Sequence, residues 1–224
     1  DPREQYKAEY DPTFARKLPI VQAYEAKPPP PSVGPQSPSI NIVRQHGVPM
    51  ATRDGVIESM MCVMPQCSTD DHGVTLVCRD FAAAGVDNVS EIFFTWMKWG
   101  QNCTGWWLAP GEYNFARIED RLHAIIAGNP NARIIMRIKM NVPNWWIARY
   151  PEELSVNEHG VRSPQPAMSS ERWLNDACAM LTDVVKYFEQ SPLAKHIIGY
   201  HPAGGGSSEW FWWNYEKGPQ DYSP

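Results

Sequence analysis

The chain has no apolar run of about twenty residues, the length a membrane-crossing helix needs. It has no run of Lys and Arg, and its formal net charge is −5. Phosphate binding requires clustered cations, so this balance argues against a nucleic-acid partner. No Cys-x-x-Cys pair occurs, and no His shares the spacing of Cys62, Cys67, Cys78, Cys103 and Cys178. A metal site is therefore not expected. No glycine fingerprint follows the first strand signal, which leaves nucleotide binding without support. No metal or organic cofactor is implied. The chain starts at Asp1 with neither an initiator Met nor an apolar leader, and reads as a processed form or a piece of a longer protein.

An odd number of cysteines allows at most two intrachain disulfides. Asn88-Val89-Ser90 and Asn102-Cys103-Thr104 fit the N-glycosylation acceptor pattern. Together these features give the expectation of a secreted protein glycosylated at Asn88 and Asn102.

Tryptophan is abundant. All ten lie between Trp96 and Trp213, with adjacent pairs at Trp106-Trp107, Trp145-Trp146 and Trp212-Trp213. In extended backbone, neighbouring side chains point to opposite faces, so such pairs cannot all be core. Some of these rings are expected to line a cleft.

Residues 1–38 are polar and charged, and end in the proline-rich run Lys27 to Pro35. Proline fixes φ and offers no amide donor, so this part reads as a tail and an extended connector. From residue 39 to 224 the pattern alternates between strand and helix. Ile40 to Val43 reads as a strand followed by a loop at His46-Gly47. Thr75 to Ala84 reads as a helix closed by Gly85, and Ile92 to Trp96 as a strand. Phe115 to Ala127 carries Phe115, Ile118, Leu122, Ile125 and Ile126 at helical spacing. Arg133 to Ile138 reads as a strand buried on both faces. Ser170 caps a helix predicted from Glu171 to Gln190. Ile197 to Tyr200 is the last strand.

This rhythm predicts parallel βαβ units, either in a (β/α)8 barrel or in an open doubly wound sheet. The distinctive residues follow strand ends, where a barrel gathers its loops on one face, so the barrel is the expected fold. The strongest local signal is His201-Pro202-Ala203-Gly204-Gly205-Gly206-Ser207-Ser208-Glu209-Trp210-Phe211-Trp212-Trp213. It sets one carboxylate among aromatic rings. Such surroundings keep a carboxyl protonated near neutral pH, and flat rings stack on pyranose faces.

Three ordered segments resemble the family 42 β-galactosidases and their clan-A relatives. Trp106-Trp107-Leu108-Ala109-Pro110-Gly111-Glu112-Tyr113-Asn114-Phe115 is similar to their loop after the second barrel strand. Asn141-Val142-Pro143-Asn144-Trp145-Trp146 with Tyr150-Pro151-Glu152 is similar to the segment after the third. Ile198-Gly199-Tyr200-His201 running to Glu209-Trp210 resembles the fourth strand and its loop. The resemblance spans residues 40–224 and implies that Glu209 is the general acid/base of a retaining glycoside hydrolase. Many clan members carry Asn immediately before this Glu, and Ser208 stands here instead. That points to a divergent relative. Retaining hydrolysis needs a second carboxylate as nucleophile, which the clan supplies after its seventh strand. The chain therefore reads as the first four β/α units of a barrel, completed by the remaining half or by a partner chain.

Beside Glu209, the expected carbohydrate-binding residues are Arg137, Asn141, Trp145, Trp146, His201, Trp210 and Trp212. Arg137 is a charge in an apolar strand, His201 a potential donor to a sugar hydroxyl, and the indoles stacking platforms. An alternative function is a non-catalytic carbohydrate-binding or structural subunit derived from such a barrel. An oxidoreductase on an open sheet would rest on the βαβ rhythm alone.

Overall fold

The computed structural model describes residues 39–65, 70–95, 105–204 and 221. The tail and connector expected at residues 1–38 lie outside them.

The chain first forms a three-stranded antiparallel meander: β1 (Ile40–Gln45), β2 (Val48–Arg53) and β3 (Val56–Glu58). Its two turns are His46-Gly47 and Asp54-Gly55, and all four residues have positive φ. Such two-residue turns match the right-handed twist of hairpin strands, so pairing here is local. This corrects the expected role of Ile40 to Val43. The segment is not the first strand of the parallel sheet, because it pairs antiparallel with β2 in a separate sheet.

The parallel sheet begins instead at β4 (Cys62–Val63) and continues with β5 (Asn88–Phe94), β8 (Arg133–Lys139) and β11 (Ile197–Ala203). The hydrogen-bonded order is β11-β8-β5-β4, so each strand is added beside its predecessor without reversal. Helices make the crossovers: α1 (Asp71–Ala83) joins β4 to β5, α2 (Ala116–Gly128) precedes β8, and α4 (Glu171–Glu189) precedes β11. The short α3 (Asn144–Arg149) follows β8. Two hairpins decorate the units, β6 (Trp107–Ala109) with β7 (Glu112–Tyr113), and β9 (Leu154–Val156) with β10 (Arg162–Pro166). Among the described residues the sheet does not close on itself.

One core holds the helices to one face of this sheet. It joins Val74 and Cys78 of α1, Ile118, Leu122 and Ile125 of α2, and Met180, Val184 and Phe188 of α4. From the strands it takes Val89, Phe93, Ile134, Met136, Ile138 and Ile197. Strand side chains alternate between faces, so Ser90, Ile92 and Phe94 on β5, and Ile135, Arg137 and Lys139 on β8, occupy the other face.

Local signals account for the helix boundaries. The Ser170 hydroxyl accepts from Trp173 N at 3.0 Å and donates to Glu153 Oε2 at 2.6 Å, as expected of an N-cap. Asp70 caps α1 through Gly73 N, and the helix starts at Asp71, four residues before the predicted start. Gly85, at φ +84°, follows its last turn.

The α1–α2 contact depends on a residue with no side chain. A Cβ at Gly128 would stand 2.2 Å from the Thr75 carbonyl oxygen, which is backbone and cannot swing aside. The Thr75 hydroxyl also donates to Ala124 O at 3.0 Å, fixing the approach. Gly128→Ala is expected to cost on the order of 2 kcal/mol by forcing the helices apart. Denaturant unfolding of the variant measures it, and an unchanged midpoint would contradict this packing.

Candidate active site at the carboxyl end of the sheet

In the parallel register, Ile92, Arg137 and His201 stand side by side across three strands, and Phe94, Lys139 and Ala203 form the next row. Strand alternation therefore brings Arg137 and Lys139 to the same face, two residues apart, near the end at which the strands finish. Arg137 Nη1 lies 3.3 Å from the Met64 sulfur, just past β4. Lys139 Nζ lies 5.3 Å from the centre of the Phe94 ring, within cation–π range. Both cations are 7% exposed. Burial, and then the charge of Arg137, lower the Lys139 pKa. His201 is exposed in the same row.

The sheet's carboxyl end is built as a unit. Met140 N donates to Ala203 O at 2.7 Å, so the chain leaving β8 is tied to the end of β11. The Thr95 hydroxyl donates to the Asn141 backbone oxygen. The buried Asn141 side-chain amide donates to Gln165 Oε1 at 3.0 Å, bringing the β9–β10 hairpin over the end of β8. Buried cations beside an imidazole and amide groups suit a hydroxyl-rich or anionic ligand, and they favour the ionised form of a carboxylate placed among them. Among the described residues no group of three or more His, Cys, Asp or Glu side chains is arranged to hold a metal.

No family model matches the chain, and no curated protein matches it. Among solved structures it is similar to the crystal structure of β-galactosidase from the psychrophilic Marinomonas ef1. The TM-score is 0.47 and the identity 15%, over 62% of this chain and 20% of that one. The chain thus spans about a fifth of that enzyme's length.

The expected binding residues fall into three groups. Arg137, His201 and Asn141 lie together at this end of the sheet. Trp145 is half-buried, edge-on to Trp107 at 5.4 Å, and its indole N–H donates to Trp107 O at 3.1 Å. Trp146 is corrected: it is fully buried, and its indole N–H donates to Asp176 Oδ2 of α4 at 2.9 Å. It is core, with no face left for a sugar. Glu209, Trp210 and Trp212 lie outside the described residues.

The expected glycosylation at Asn88 is corrected as well. Asn88 is 3% exposed at the start of β5, and its side-chain nitrogen donates to Ser59 O at 2.6 Å. A glycan has no room at a buried amide already engaged in the fold. Asn102 lies outside the described residues. Cys62, Cys78 and Cys178 are free thiols.

Lys139 and Gln165 join the site without having been singled out in the sequence. For Lys139 the signal existed: it stands two residues after Arg137, and strand alternation puts both on one face. Gln165 carries no local signal, because a hairpin delivers it. Glu91 on the helix-facing side was also missed, since the strand starts four residues before its aromatic part. It lies 3.9 Å from Arg121 Nε and is 3% exposed. Burial pushes its carboxyl up to about 7 against the opposing pull of Arg121. It faces the packed helices, so its role is in stability.

Proposed function

We propose that the chain forms the first four units of a (β/α)8 barrel of retaining glycoside hydrolase type, β-galactosidase-like in its chemistry, with Glu209 as general acid/base. One observation carries this reading. The four parallel strands are added in sequence order with their helices packed on one face, and the other face carries Arg137, Lys139 and His201 toward the carboxyl end. A doubly wound sheet reverses its strand order and covers both faces with helices, whereas a barrel does neither and builds its site at this end. Strand β11 leads there, and Glu209 follows six residues after Ala203.

In the proposed mechanism Glu209 protonates the glycosidic oxygen while a carboxylate attacks the anomeric carbon from the opposite side. Glu209 then takes a proton from the water that releases the sugar. No carboxylate stands among the strand residues of the second face, so the nucleophile is assigned to the remaining half of the barrel. Arg137 and Lys139 favour its ionised form, and His201 and Asn141 contact sugar hydroxyls. The same half would cover the strand edges that β4 and β11 leave at the two ends of the sheet.

The test is hydrolysis of aryl β-galactosides by the full-length protein, with Glu209→Gln as the comparison. Turnover with retained anomeric configuration, lost in the variant, supports the reading. Turnover that survives the substitution overturns it. Saccharide binding with no hydrolysis overturns it in favour of a carbohydrate-binding subunit.

A further inference from the structure

Asn141 leaves β8 with only half of its side-chain amide satisfied. Met140 N donates to Ala203 O at 2.7 Å, so the pairing with β11 runs one residue past β8. Alternation then gives Asn141 the parity of Arg137 and Lys139, on the face of the candidate site. Its backbone oxygen accepts from the Thr95 hydroxyl, which holds the residue at the strand end. Asn141 is 3% exposed, and its amide nitrogen donates to Gln165 Oε1 at 3.0 Å. The amide oxygen, Oδ1, is buried as well and has no hydrogen-bond partner among the described residues.

A buried acceptor left unpaired destabilises the fold by more than a typical hydrogen bond stabilises it, and nearly all buried polar groups have partners. An amide oxygen accepts and cannot donate, so the group that satisfies Oδ1 is a donor. On the carbohydrate reading of this site, that donor is a sugar hydroxyl with its hydrogen directed at Asn141.

Gln165 sets which end of the Asn141 amide meets the ligand. The oxygen and the NH2 group are close in size, so sterics alone do little to stop the amide turning over. With Gln165 Oε1 facing it, the nitrogen is held by the hairpin and the oxygen is left for the ligand. The hairpin that delivers Gln165 is itself braced. Pro166 pairs with Leu154, and Ala167 N donates to Glu153 O at 2.8 Å. The Asp221 carboxylate accepts from Val156 N at 3.3 Å and from Met168 N at 3.0 Å, one on each side of the hairpin. At the turn, Asn157 Oδ1 accepts from His159 N and Val161 N. An acceptor fixed in this way is organised before the ligand arrives, so little ordering is left for binding to accomplish.

We propose that Gln165 is a positioning residue that fixes the Asn141 amide so that the site reads one sugar hydroxyl as a hydrogen-bond donor. This rests on the carbohydrate reading above and involves no contribution from Glu209.

The test is a binding measurement, which needs no turnover. Galactose and its monodeoxyfluoro analogues at C2, C3, C4 and C6 are titrated calorimetrically into the full-length protein. Fluorine is close to a hydroxyl in size but has no proton to donate. One analogue is expected to bind about 10- to 100-fold more weakly than galactose, because it leaves Oδ1 unpaired. Asn141→Ala removes that penalty. In Gln165→Met the amide is free to turn its NH2 group to the ligand, so the penalty falls to within about three-fold. The other analogues keep their ratios to galactose. Gln165→Glu supplies an acceptor oxygen again and restores the penalty. Thermal midpoints are recorded for every variant, and Gln165→Ala takes the place of Gln165→Met if that variant does not fold.

A purely structural Gln165 would weaken galactose and every analogue by the same factor, and that result overturns the proposal. So does a wild type that penalises no analogue, or a penalty that persists in Gln165→Met or in Asn141→Ala. A wild type that does not bind galactose overturns the carbohydrate reading and the proposal with it. The expected pattern in a protein that does not hydrolyse galactosides supports the proposal while overturning the catalytic reading.

Discussion

On the proposed reading, replacing Glu209 by Gln is expected to lower kcat/KM for phenyl β-galactoside by about 100- to 10,000-fold, the usual worth of a positioned general acid. The size follows from the departing alkoxide or phenoxide, which is a poor leaving group unless it receives a proton in the transition state. With 2,4-dinitrophenyl β-galactoside that demand vanishes, so the glycosylation step should persist in Glu209→Ala. The second step then lacks its base. The glycosyl-enzyme accumulates, giving a burst of dinitrophenol followed by slow turnover. Azide, which needs no deprotonation, should restore the turnover and appear in the product as the glycosyl azide of retained configuration. A leaving-group-independent loss, with neither burst nor azide product, would remove Glu209 from the acid/base role.

The second large effect concerns stability. Glu91→Gln is expected to stabilise the protein at alkaline pH and leave it nearly unchanged in acid. Unfolded, Glu91 ionises near 4.5; folded, burial raises this to about 7. The folded state therefore binds the proton more tightly. Stability associated with the protonated form is fully present below about pH 4.5 and is lost as pH rises through about 7. A shift of this size corresponds to roughly 3 kcal/mol.

The groups facing this carboxyl set the balance. Arg121 is close enough to attract it, but also lies 3.2 Å from Asp71 at the start of α1, so its charge is shared. Arg137 contributes a weaker favourable charge. Cys78 faces the same space, and its thiol is pushed up to about 12 by burial and then by Glu91, so it stays neutral beside the carboxyl. Gln keeps the shape and discards the charge. Denaturant unfolding at pH 5 and pH 8 tests this, with the wild type losing stability between them and the variant staying flat. A variant less stable than wild type at pH 8 would mean that the Arg121 pair outweighs the cost of burial.

Much of the architecture was legible because its signals are local. The helix over Glu171–Glu189 is announced by Ser170 and by its apolar spacing, and observed and predicted bounds differ by one residue. The strand at Arg133–Lys139 is a run of apolar residues between a stop at Gly128-Asn129-Pro130 and a loop at Asn141. The start of β5 was not legible. Asn88, Ser90 and Glu91 are polar, and only the tertiary setting makes them strand residues, through pairing with β8 on one side and β4 on the other. Of the meander the sequence pattern marks only the first strand, because β2 and β3 are defined by their pairing across the second two-residue turn, Asp54-Gly55.

The candidate site divides along the same line. The sequence by itself determined that Arg137 lies in a strand of an alternating βαβ pattern and that Asn141 follows a strand end, whereas His201, expected just past the last strand, lies inside β11. Such features depend on spacing and residue type, which the chain carries locally. Only the tertiary structure decided that Arg137 and His201 share a row, that Trp146 is core and that Asn88 is buried. It alone also brought Gln165 to Asn141 and Asp221 to Val156 and Met168. These facts depend on strand register and on contacts between residues far apart in the chain. A one-residue change of register would turn every side chain of a strand to the opposite face, and register is settled by the packing of the whole sheet against its helices.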